Sequence, residues 1–281
     1  FMVCNGQERY SFLMSVYWKV DASDLARSME CMFAQTIPPS EVVIVKDGTL
    51  PESLEAVLSG YENDYPNVMK IIGYPDNQGL WYALRLGLEE CSNELVARMD
   101  SDDYAEPCRL EEELEVMRRK PSIDCVGSNV VEFEGSIDNR VSYVDLPSEH
   151  DDILRFGKRR CPFRHSSLLY KKSAVQRAGS YQEMPLFEDY DLFMRMVKTG
   201  ARFYNIPKPL VFMGVNSDFF QRRGDVGYLK KMVRFRKTCL KRGDIDRLEY
   251  LTSVIPHAAV CLMPNGLRTV IYKNLLRKDV A

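Results

Sequence analysis

The sequence lacks the cysteine spacing of metal-binding and disulfide-rich modules. Its eight cysteines are scattered over 281 residues, and no two of them form a Cys-x-x-Cys pair. Neither the ligand spacing of a zinc site nor the dense framework of a small secreted domain is present. We therefore expect reduced thiols, as in a cytoplasmic protein.

The sequence also lacks a large charge excess and a long apolar run. The formal net charge of −2 argues against a general nucleic-acid binder. The first residues, FMVCNGQERYSF, contain no long apolar core of the secretory type. The longest apolar-leaning stretch, YLTSVIPHAAVCLMP, is broken by Pro256 and falls short of a membrane span. These absences predict a soluble or peripheral protein.

Strand-like and helix-like segments alternate through the first half of the chain. Apolar runs at 9–17, 41–48, 68–74, 94–100 and 123–134 read as strands, and amphipathic segments near 23–35, 50–64, 79–92 and 106–120 as helices. Ser23 is a candidate cap of the first helix. Short connections between such segments predict an α/β fold with a parallel, doubly wound sheet.

After Gly135 the alternation becomes less regular. Helices are expected near 149–157, 171–178 and 188–199, with a short strand in SSLLY, and the chain from about 224 onward looks helical. In parallel sheets, ligands bind beyond the carboxyl ends of the strands. Tyr17, Asp47, Asn77 and the acidic stretch from Asp100 to Asp103 all fall at such ends.

The stretch VARMDSDDYAEP carries Asp100, Asp102 and Asp103 within four positions. Like charges a few ångströms apart repel by about 4 kcal/mol per pair at an effective dielectric near 20. One aspartate could cap the helix that enters at Glu106 while the others face water. A calcium-binding EF-hand fits poorly, because Tyr104 and Ala105 replace residues that such a loop needs. The alternative is an Asp-x-Asp site for magnesium or manganese, which use few protein carboxylates.

Several motifs follow each other in order and at consistent intervals. They are FLMSVY, QTIPPSEVVIVKDG, NQGLWYALRLGL, ELVARMDSDDYAEPCRLE, HSSLLYKKSAVQRAGSYQE and LFEDYDLFMRMVKTGARFYNI. Over residues 9–224 the sequence resembles glycosyltransferase family 2, whose members have the GT-A fold with a Rossmann-like, mostly parallel central sheet. Within that family it is most similar to bacterial exopolysaccharide and O-antigen enzymes of the amylovoran type, several of which are β-1,3-galactosyl- or glucosyltransferases.

The resemblance implies a role for each of several residues. Those that would contact the nucleotide sugar are Val16, Tyr17, Asp47, Asn77, Gly79, Arg85, Asp100, Arg222 and Arg223. Asp100 would reach the ribose and, with Asp102, the metal ion, Mn²⁺ or Mg²⁺. From the residues alone, Asp47 could equally be a plain Asp-Gly turn residue.

The segment EDYDLFMR would supply the catalytic base. Inverting transfer needs a carboxylate that takes a proton from the acceptor hydroxyl. Asp189 is the first choice, with Glu188 beside it, and Asp191 is a second candidate. Acidic residues at a helix start can also be purely structural. Asp191 and Arg195, four positions apart, would then form an exposed ion pair.

The sequence departs from the family pattern at two places. Arg85 stands where many members have asparagine, and it could touch a phosphate or lie on a helix surface. A late metal-binding histidine is missing, and Arg222 and Arg223 could instead clamp the diphosphate with fork-like hydrogen bonds, or form a solvated turn. His165 is expected to be a loop or packing residue before a phosphate contact.

The end of the chain is basic. Between Arg222 and Arg247 there are ten Lys or Arg and three Asp. Further on, NGLRTVIYKNLLRKDVA can form an amphipathic helix suited to an anionic membrane surface, or one that packs on the protein. We expect a catalytic domain at 1–223, with a nucleotide-sugar half at about 9–134 and an acceptor half at about 135–223, and a helical extension at 224–281.

The sequence as a whole predicts a metal-dependent, inverting hexosyltransferase. It would move galactose or glucose from a UDP-sugar to a glycan or an undecaprenyl-diphosphate-linked acceptor, in the cytoplasm or on the inner face of the membrane, without nucleic acid. One rival is a nucleotidyltransferase, although SVYWKVDASD has none of the glycines that its first loop needs. The other rival is a non-catalytic module with the same fold that binds glycan or a partner.

Overall fold

A computed structural model describes residues 8–215 and 226–262. The strands are β1 (Tyr10–Val16), β2 (Glu41–Asp47), β3 (Met69–Tyr74), β4 (Leu95–Arg98), β5 (Tyr104–Ala105), β6 (Cys125–Phe133), β7 (Arg140–Val144), β8 (Leu169–Lys171) and β9 (Phe203–Gly214). The helices are α1 (Ala22–Phe33), α2 (Glu52–Asp64), α3 (Leu80–Glu90), α4 (Arg109–Arg119), α5 (His150–Gly157), α6 (Lys172–Arg177), α7 (Glu188–Lys198), α8 (Val226–Arg242) and α9 (Arg247–Leu262).

All the strands belong to one sheet. Its order is β3-β2-β1-β4-β8-β6-β9-β5, with β7 paired to β6. The pairs among β3, β2, β1 and β4 are parallel, as expected from the alternating segments. In the other half β8 runs antiparallel to both β4 and β6, which agrees with the predicted mostly parallel sheet. The sheet is therefore mostly parallel on the first half and mixed on the second.

Residues along each central strand alternate between two apolar layers. In β1, Phe12 and Met14 pack with the layer that contains α1, α2 and α4, whereas Leu13 packs with α3, α7 and α8 on the other face. In β2, Ile44 packs in the first of these layers and Val45 in the second. Because side chains alternate along a strand, a run that is apolar at every position implies burial on both faces.

The first helix is capped two residues earlier than its candidate cap, Ser23. The carboxylate of Asp21 accepts a hydrogen bond from the backbone N–H of Ser23 at 2.8 Å. Asp21 is therefore the N-cap, and Ser23 lies inside α1. An aspartate side chain satisfies an otherwise free N–H at a helix start, as the serine was expected to do.

Three strands were not expected from the sequence. β5 has two residues, and β7 lies in the irregular stretch after Gly135. The longest, β9, contains Pro207 and Pro209, and its pairing with β6 shifts register beside Asn129. Proline cannot donate to a strand ladder, so the sequence of β9 reads as irregular.

The helices after residue 225 share the core of the sheet domain. Phe235 of α8 stacks on Phe187 with ring centroids 5.1 Å apart. Met232, Phe235 and Cys239 are buried in the same apolar cluster as α7. The helix α9 continues through Pro256 instead of breaking there. Within the described ranges, no helix is both long and apolar enough to cross a membrane.

Candidate active site

The parallel strands bring the polar residues predicted for the site to one edge of the sheet. Val16 of β1 pairs with Lys46 of β2, and Leu13 pairs with Arg98 of β4, so these strands end side by side. Val16 is fully buried, main chain included, so its contact with a ligand stays a prediction. Tyr17, the next residue, is 38 % exposed. The residues predicted for the site thus share the carboxyl edge of the parallel strands, while their roles stay a prediction.

Asp47 holds the loop that follows β3. Its carboxylate accepts hydrogen bonds from the Tyr74 hydroxyl at 2.9 Å, the Asn77 amide at 2.9 Å and the Gln78 backbone N–H at 2.7 Å. The backbone N–H of Gly79 donates to both carboxylate oxygens. Asp47 is only 3 % exposed. The structure thus shows that Asp47 shapes the loop. Its contact with the base of the nucleotide stays a prediction.

The turn between β2 and α2 fits closely against the same loop. Gly48 has a φ of +91°, and a Cβ at this position would lie 3.0 Å from the backbone nitrogen of Asn77. A left-handed conformation and this close approach both favour glycine. Gly79, which caps α3, has a φ of +88°. Asp47, Asn77 and Gly79 therefore form one connected surface.

The three aspartates after β4 point in different directions. Asp103 is 2 % exposed, and its carboxylate accepts a hydrogen bond from the Gly214 backbone N–H at 3.1 Å. Burial, and next the charges of Asp102 and Asp100, raise the pKa of Asp103 well above its usual value. Asp102 is exposed, and the Asp100 side chain is 32 % exposed. Asp103 therefore fixes the turn, and of the three only Asp100 and Asp102 reach solvent, in the space beyond the strand ends that we call the cleft.

A buried arginine serves as counterion to this cluster. The guanidinium of Arg98 donates to the carboxylate of Asp100 and to the carbonyl of Leu13. Its side chain has no exposed surface. Sequence reasoning missed Arg98, although an arginine inside the apolar strand ELVARMD was a visible signal. Part of the repulsion among the aspartates is thus offset by the protein itself.

Asp100 and Asp102 are the two carboxylates of the cluster that remain for a cation. Although Asp102 reaches solvent, the protein around it removes much of its hydration; this desolvation, followed by the charge of Asp100, raises the pKa of Asp102 to about 6. Across residues 8–215 and 226–262, no group of three or more His, Cys, Asp or Glu side chains could hold a metal ion. Two carboxylates fit an ion such as Mn²⁺ or Mg²⁺ that takes its other ligands from water and phosphate. The helix cap considered for Asp102 or Asp103 is excluded, since α4 begins after Cys108.

The first turn of α7 belongs to the same electrostatic cluster. Burial raises the pKa of Glu188 to about 8, and the charges of Asp189 and then Asp100 contribute. The carboxylate of Asp189 accepts a hydrogen bond from the Tyr190 backbone N–H at 2.7 Å and lies 3.9 Å from the thiol of Cys161. Since the charge of Asp100 acts on Glu188 as well as on Asp102, the two acidic motifs lie near enough to interact electrostatically.

A small cavity lies behind Asp189. It has a volume of about 20 Å³, and Cys161, His165 and Tyr170 are among its lining residues. The imidazole of His165 lies 2.9 Å from the Tyr181 hydroxyl. Burial, with Arg98 as a second cause, lowers the pKa of His165 well below its usual value. His165 is thus a neutral packing residue, the first of its two expected roles.

Asp191 does not form the exposed ion pair that was expected. It is 1 % exposed and pairs with Arg195 at 2.8 Å and with Arg242 of α8 at 2.7 Å. The helix spacing was correct, but α8 covers this side of α7. Because both carboxylate oxygens are paired inside the protein, Asp191 is removed from the cleft.

Arg85 lies on the outer surface of α3, where its side chain is 51 % exposed and 3.8 Å from Glu89. This favours the surface alternative over a phosphate contact. Arg222 and Arg223 lie outside the described residues. The seven cysteines in the described residues are all free thiols, as expected.

Comparison with known proteins gives a consistent result. The family model for glycosyl transferase family 2 matches residues 11–181. The chain is 35% identical over 265 residues to the amylovoran biosynthesis glycosyltransferase AmsE of Erwinia amylovora, covering 94% of this chain and 98% of that protein. It is 30% identical over 270 residues to a UDP-Gal:alpha-D-GlcNAc-diphosphoundecaprenol beta-1,3-galactosyltransferase of Escherichia coli, covering 96% and 97%.

A solved structure confirms the fold. The mannosyltransferase PcManGT of Pyrobaculum calidifontis, in complex with GDP-Man and Mn²⁺, matches with a TM-score of 0.64 at 13% identity. The match covers 93% of this chain and 72% of that one. At this level of identity the likeness concerns the fold alone.

Proposed function

The chain belongs to glycosyl transferase family 2 and has the GT-A fold, and from this premise we propose that it is an inverting, metal-dependent hexosyltransferase. It moves galactose or glucose from a UDP-sugar to a hydroxyl of a lipid-linked glycan in surface polysaccharide biosynthesis. The observation that carries this proposal is the cluster in which Asp100 acts electrostatically on both Asp102 and Glu188. Donor-binding and proton-accepting groups thereby occupy one cleft.

The donor would lie along the carboxyl edge of the first four strands. The chain around Val16, the ring of Tyr17 and the loop held by Asp47 would surround the nucleotide base, with Asn77 and Gly79 lining that loop. Asp100 would contact the ribose and share Mn²⁺ or Mg²⁺ with Asp102. The bound metal would neutralise charge that develops on the departing diphosphate. Arg98, as a fixed buried cation, orients Asp100 for both contacts.

Asp189 is the candidate base. With a pKa near 8, Glu188 is protonated at neutral pH and cannot take a proton. Asp189, at the N-terminus of α7, is then the carboxylate available to the acceptor hydroxyl. Attack opposite the diphosphate on an α-linked donor would give a β-glycosidic product. A protonated Glu188 adds no second negative charge beside the base, which also favours this division of roles.

The acceptor is proposed from the relatives. The Escherichia coli relative acts, by its name, on a diphosphoundecaprenol-linked sugar. The same acceptor class would place this protein on the cytoplasmic face of the membrane as a peripheral protein. We propose the nucleotide-sugar half at about 9–134, the acceptor half at about 135–223 and the extension at 224–281. Arg222 and Arg223 are proposed to clamp the diphosphate, and Arg85 is the weaker of the proposed donor contacts.

Calorimetry tests the proposal. UDP should bind the wild-type protein more tightly with Mn²⁺ than without it, and Asp102→Asn should remove this difference. Asp189→Asn should keep UDP binding and lose transfer by about a hundredfold or more. Glu183→Gln, an exposed carboxyl outside the cleft, serves as the matched control.

Other outcomes would favour a rival. Metal-independent or absent UDP binding would support a non-catalytic module. Release of diphosphate from a nucleoside triphosphate and a sugar phosphate would support a nucleotidyltransferase. Full transfer by Asp189→Asn would remove Asp189 from the base role. A panel of nucleotide sugars, assayed for hydrolysis, identifies the donor.

A further inference from the structure

The helix α9 exposes an apolar stripe. Leu248, Leu251 and Ile255 are 69 %, 49 % and 62 % exposed. At spacings of three and four residues they share one face of the helix. From Tyr250 to Leu262 the sequence contains no charged residue. Single exposed leucines need no explanation, but a stripe of three on an uncharged helix indicates a contact surface.

The stripe is not the side by which α9 packs on the protein. Tyr250 and Val254 pack against the core cluster that α7 and α8 share, and Cys261 is 5 % exposed. These residues lie on a different face of the helix from Leu248, Leu251 and Ile255. The helix is therefore apolar on two sides, and packing against the protein buries only one of them.

The neighbouring helix α8 supplies positive charge and no negative charge. Between Val226 and Arg242 the sequence has no Asp or Glu. Its exposed basic residues are Lys230, Lys231, Arg234, Lys237 and Lys241. Among the described residues, several of these line a groove of about 520 Å³ together with the apolar side chains Val226, Leu229 and Val233. Apolar and basic groups are thus combined on this helix pair.

We infer that α8 and α9 form a membrane-docking surface, in which the stripe of α9 enters the headgroup region of an anionic bilayer and the basic residues of α8 contact its phosphates. Apolar side chains of a helix that lies in the interface insert below the headgroups, while lysine and arginine extend to the phosphates. The inference rests on the proposed lipid-linked acceptor, because such an acceptor must be reached at the membrane surface.

A second copy of the chain fits this surface less well. In a two-fold symmetric dimer the same patch meets itself. The basic side chains of α8 would then face those of its copy and repel. An anionic bilayer provides the complementary charge instead, and the apolar stripe finds acyl chains.

Vesicle co-sedimentation with the full chain tests the inference. Vesicles of phosphatidylethanolamine with phosphatidylglycerol should bind the protein, and vesicles of phosphatidylcholine should bind it much less. Changing Leu248, Leu251 and Ile255 together to serine should weaken binding at least about tenfold. Val141→Ser, at an exposed apolar position on β7, is the control and should change nothing.

The charges are tested separately. Each of Lys230→Gln, Arg234→Gln and Lys237→Gln should weaken binding about fivefold, and the effect should shrink as salt is added. Arg118→Gln and Arg119→Gln on α4 are the matched controls, since both side chains are well exposed. Transfer to a soluble acceptor analogue should be unchanged in every variant, so that membrane docking and the proposed function are judged independently.

Three results would overturn the inference. The first is wild-type protein that ignores anionic vesicles yet transfers sugar to a soluble acceptor. The second is a concentration-dependent dimer in sedimentation velocity that the serine changes dissolve, which would make the stripe an interface between copies. The third is unchanged vesicle binding by the serine variant with a lowered melting temperature, which would mean that the stripe is covered within the molecule.

Discussion

The carboxylate of Asp191 lies 2.7 Å from the guanidinium of Arg242. This contact joins α7, which begins at Glu188, to the last residue of α8. Arg242 also pairs with Asp244, whose side chain is 1 % exposed. A single arginine therefore pairs with two buried carboxylates, beside Arg195 on Asp191 and Lys198 on Asp244, and ties α8 to the helix that carries the candidate base.

Replacing Arg242 by methionine should destabilise the protein by about 3 kcal/mol. The change leaves Asp191 and Asp244 buried with one fewer cation, and removal of one member of a buried ion pair is costly. Urea unfolding measures the loss. Arg234→Met on the exposed side of α8 should change stability by less than about 0.5 kcal/mol. Equal stability of the two variants would show that the Asp191 contact contributes nothing.

Glu188 should make the protein less stable as the pH rises from about 5 to about 8. Its pKa is about 8 in the folded protein against an ordinary value of 4.5. In this window the unfolded chain has released a proton that the folded protein keeps, so unfolding becomes easier with increasing pH. The contribution reaches at most about 1.4 kcal/mol for each pH unit.

Glu188→Gln isolates this contribution, because glutamine resembles the protonated carboxyl. The variant and the wild type should have similar unfolding free energies near pH 5, and the variant should be the more stable near pH 8. A constant difference between them over this range would mean that Glu188 does not carry a raised pKa.

Gly214→Ala should weaken metal binding. A Cβ at this position would lie 2.9 Å from the backbone oxygen of Asp102, so the turn that carries Asp102 must shift. Small misplacements of a binding group are costly, and we expect at least about a tenfold loss of Mn²⁺ affinity, measured by calorimetry with UDP. Gly60→Ala on α2, where a Cβ meets nothing within 4 Å, is the control. An unchanged Mn²⁺ affinity in the Gly214→Ala variant would show that the close approach of Gly214 to Asp102 does not affect the metal site.

Asp47→Ala should lower stability by about 2 to 4 kcal/mol and weaken UDP binding. The half-buried hydroxyl of Tyr74 and the donors of the Asn77–Gly79 loop would lose their buried acceptor. Thermal unfolding and UDP calorimetry measure the two effects. Asp76→Ala, at an exposed position in the same loop, should change neither. If the Asp47→Ala variant is as stable as the wild type but no longer binds UDP, a direct contact between Asp47 and the uracil base is supported instead.

The sequence predicts the first half of the fold well, for a physical reason. Strands buried on both faces, such as β2, appear as short apolar runs separated by amphipathic helices. In the second half of the chain, the local pattern of apolar residues does not reveal in which direction a strand runs. The insertion of β8 between β4 and β6 depends on neighbours that are distant in the chain.

For the candidate site, the sequence identifies the residue types but not their surroundings. Spacing alone could not show that Asp103 turns inward to Gly214 or that Asp191 is covered by α8. Both outcomes depend on elements more than fifty residues away. Arg98, the partner of Asp100, is only two residues away. The sequence still did not predict this pair, because an apolar strand rarely buries a charged side chain.

Because α7 is almost completely buried, few of its positions can be substituted to change acceptor specificity. Every residue from Tyr190 to Met196 is buried, so only the first turn of the helix borders the cleft. Substitutions along the rest of the helix disturb the core before they can alter which sugar hydroxyl is accepted. Efforts to redirect the acceptor should therefore leave this helix intact and vary the loops around its first turn.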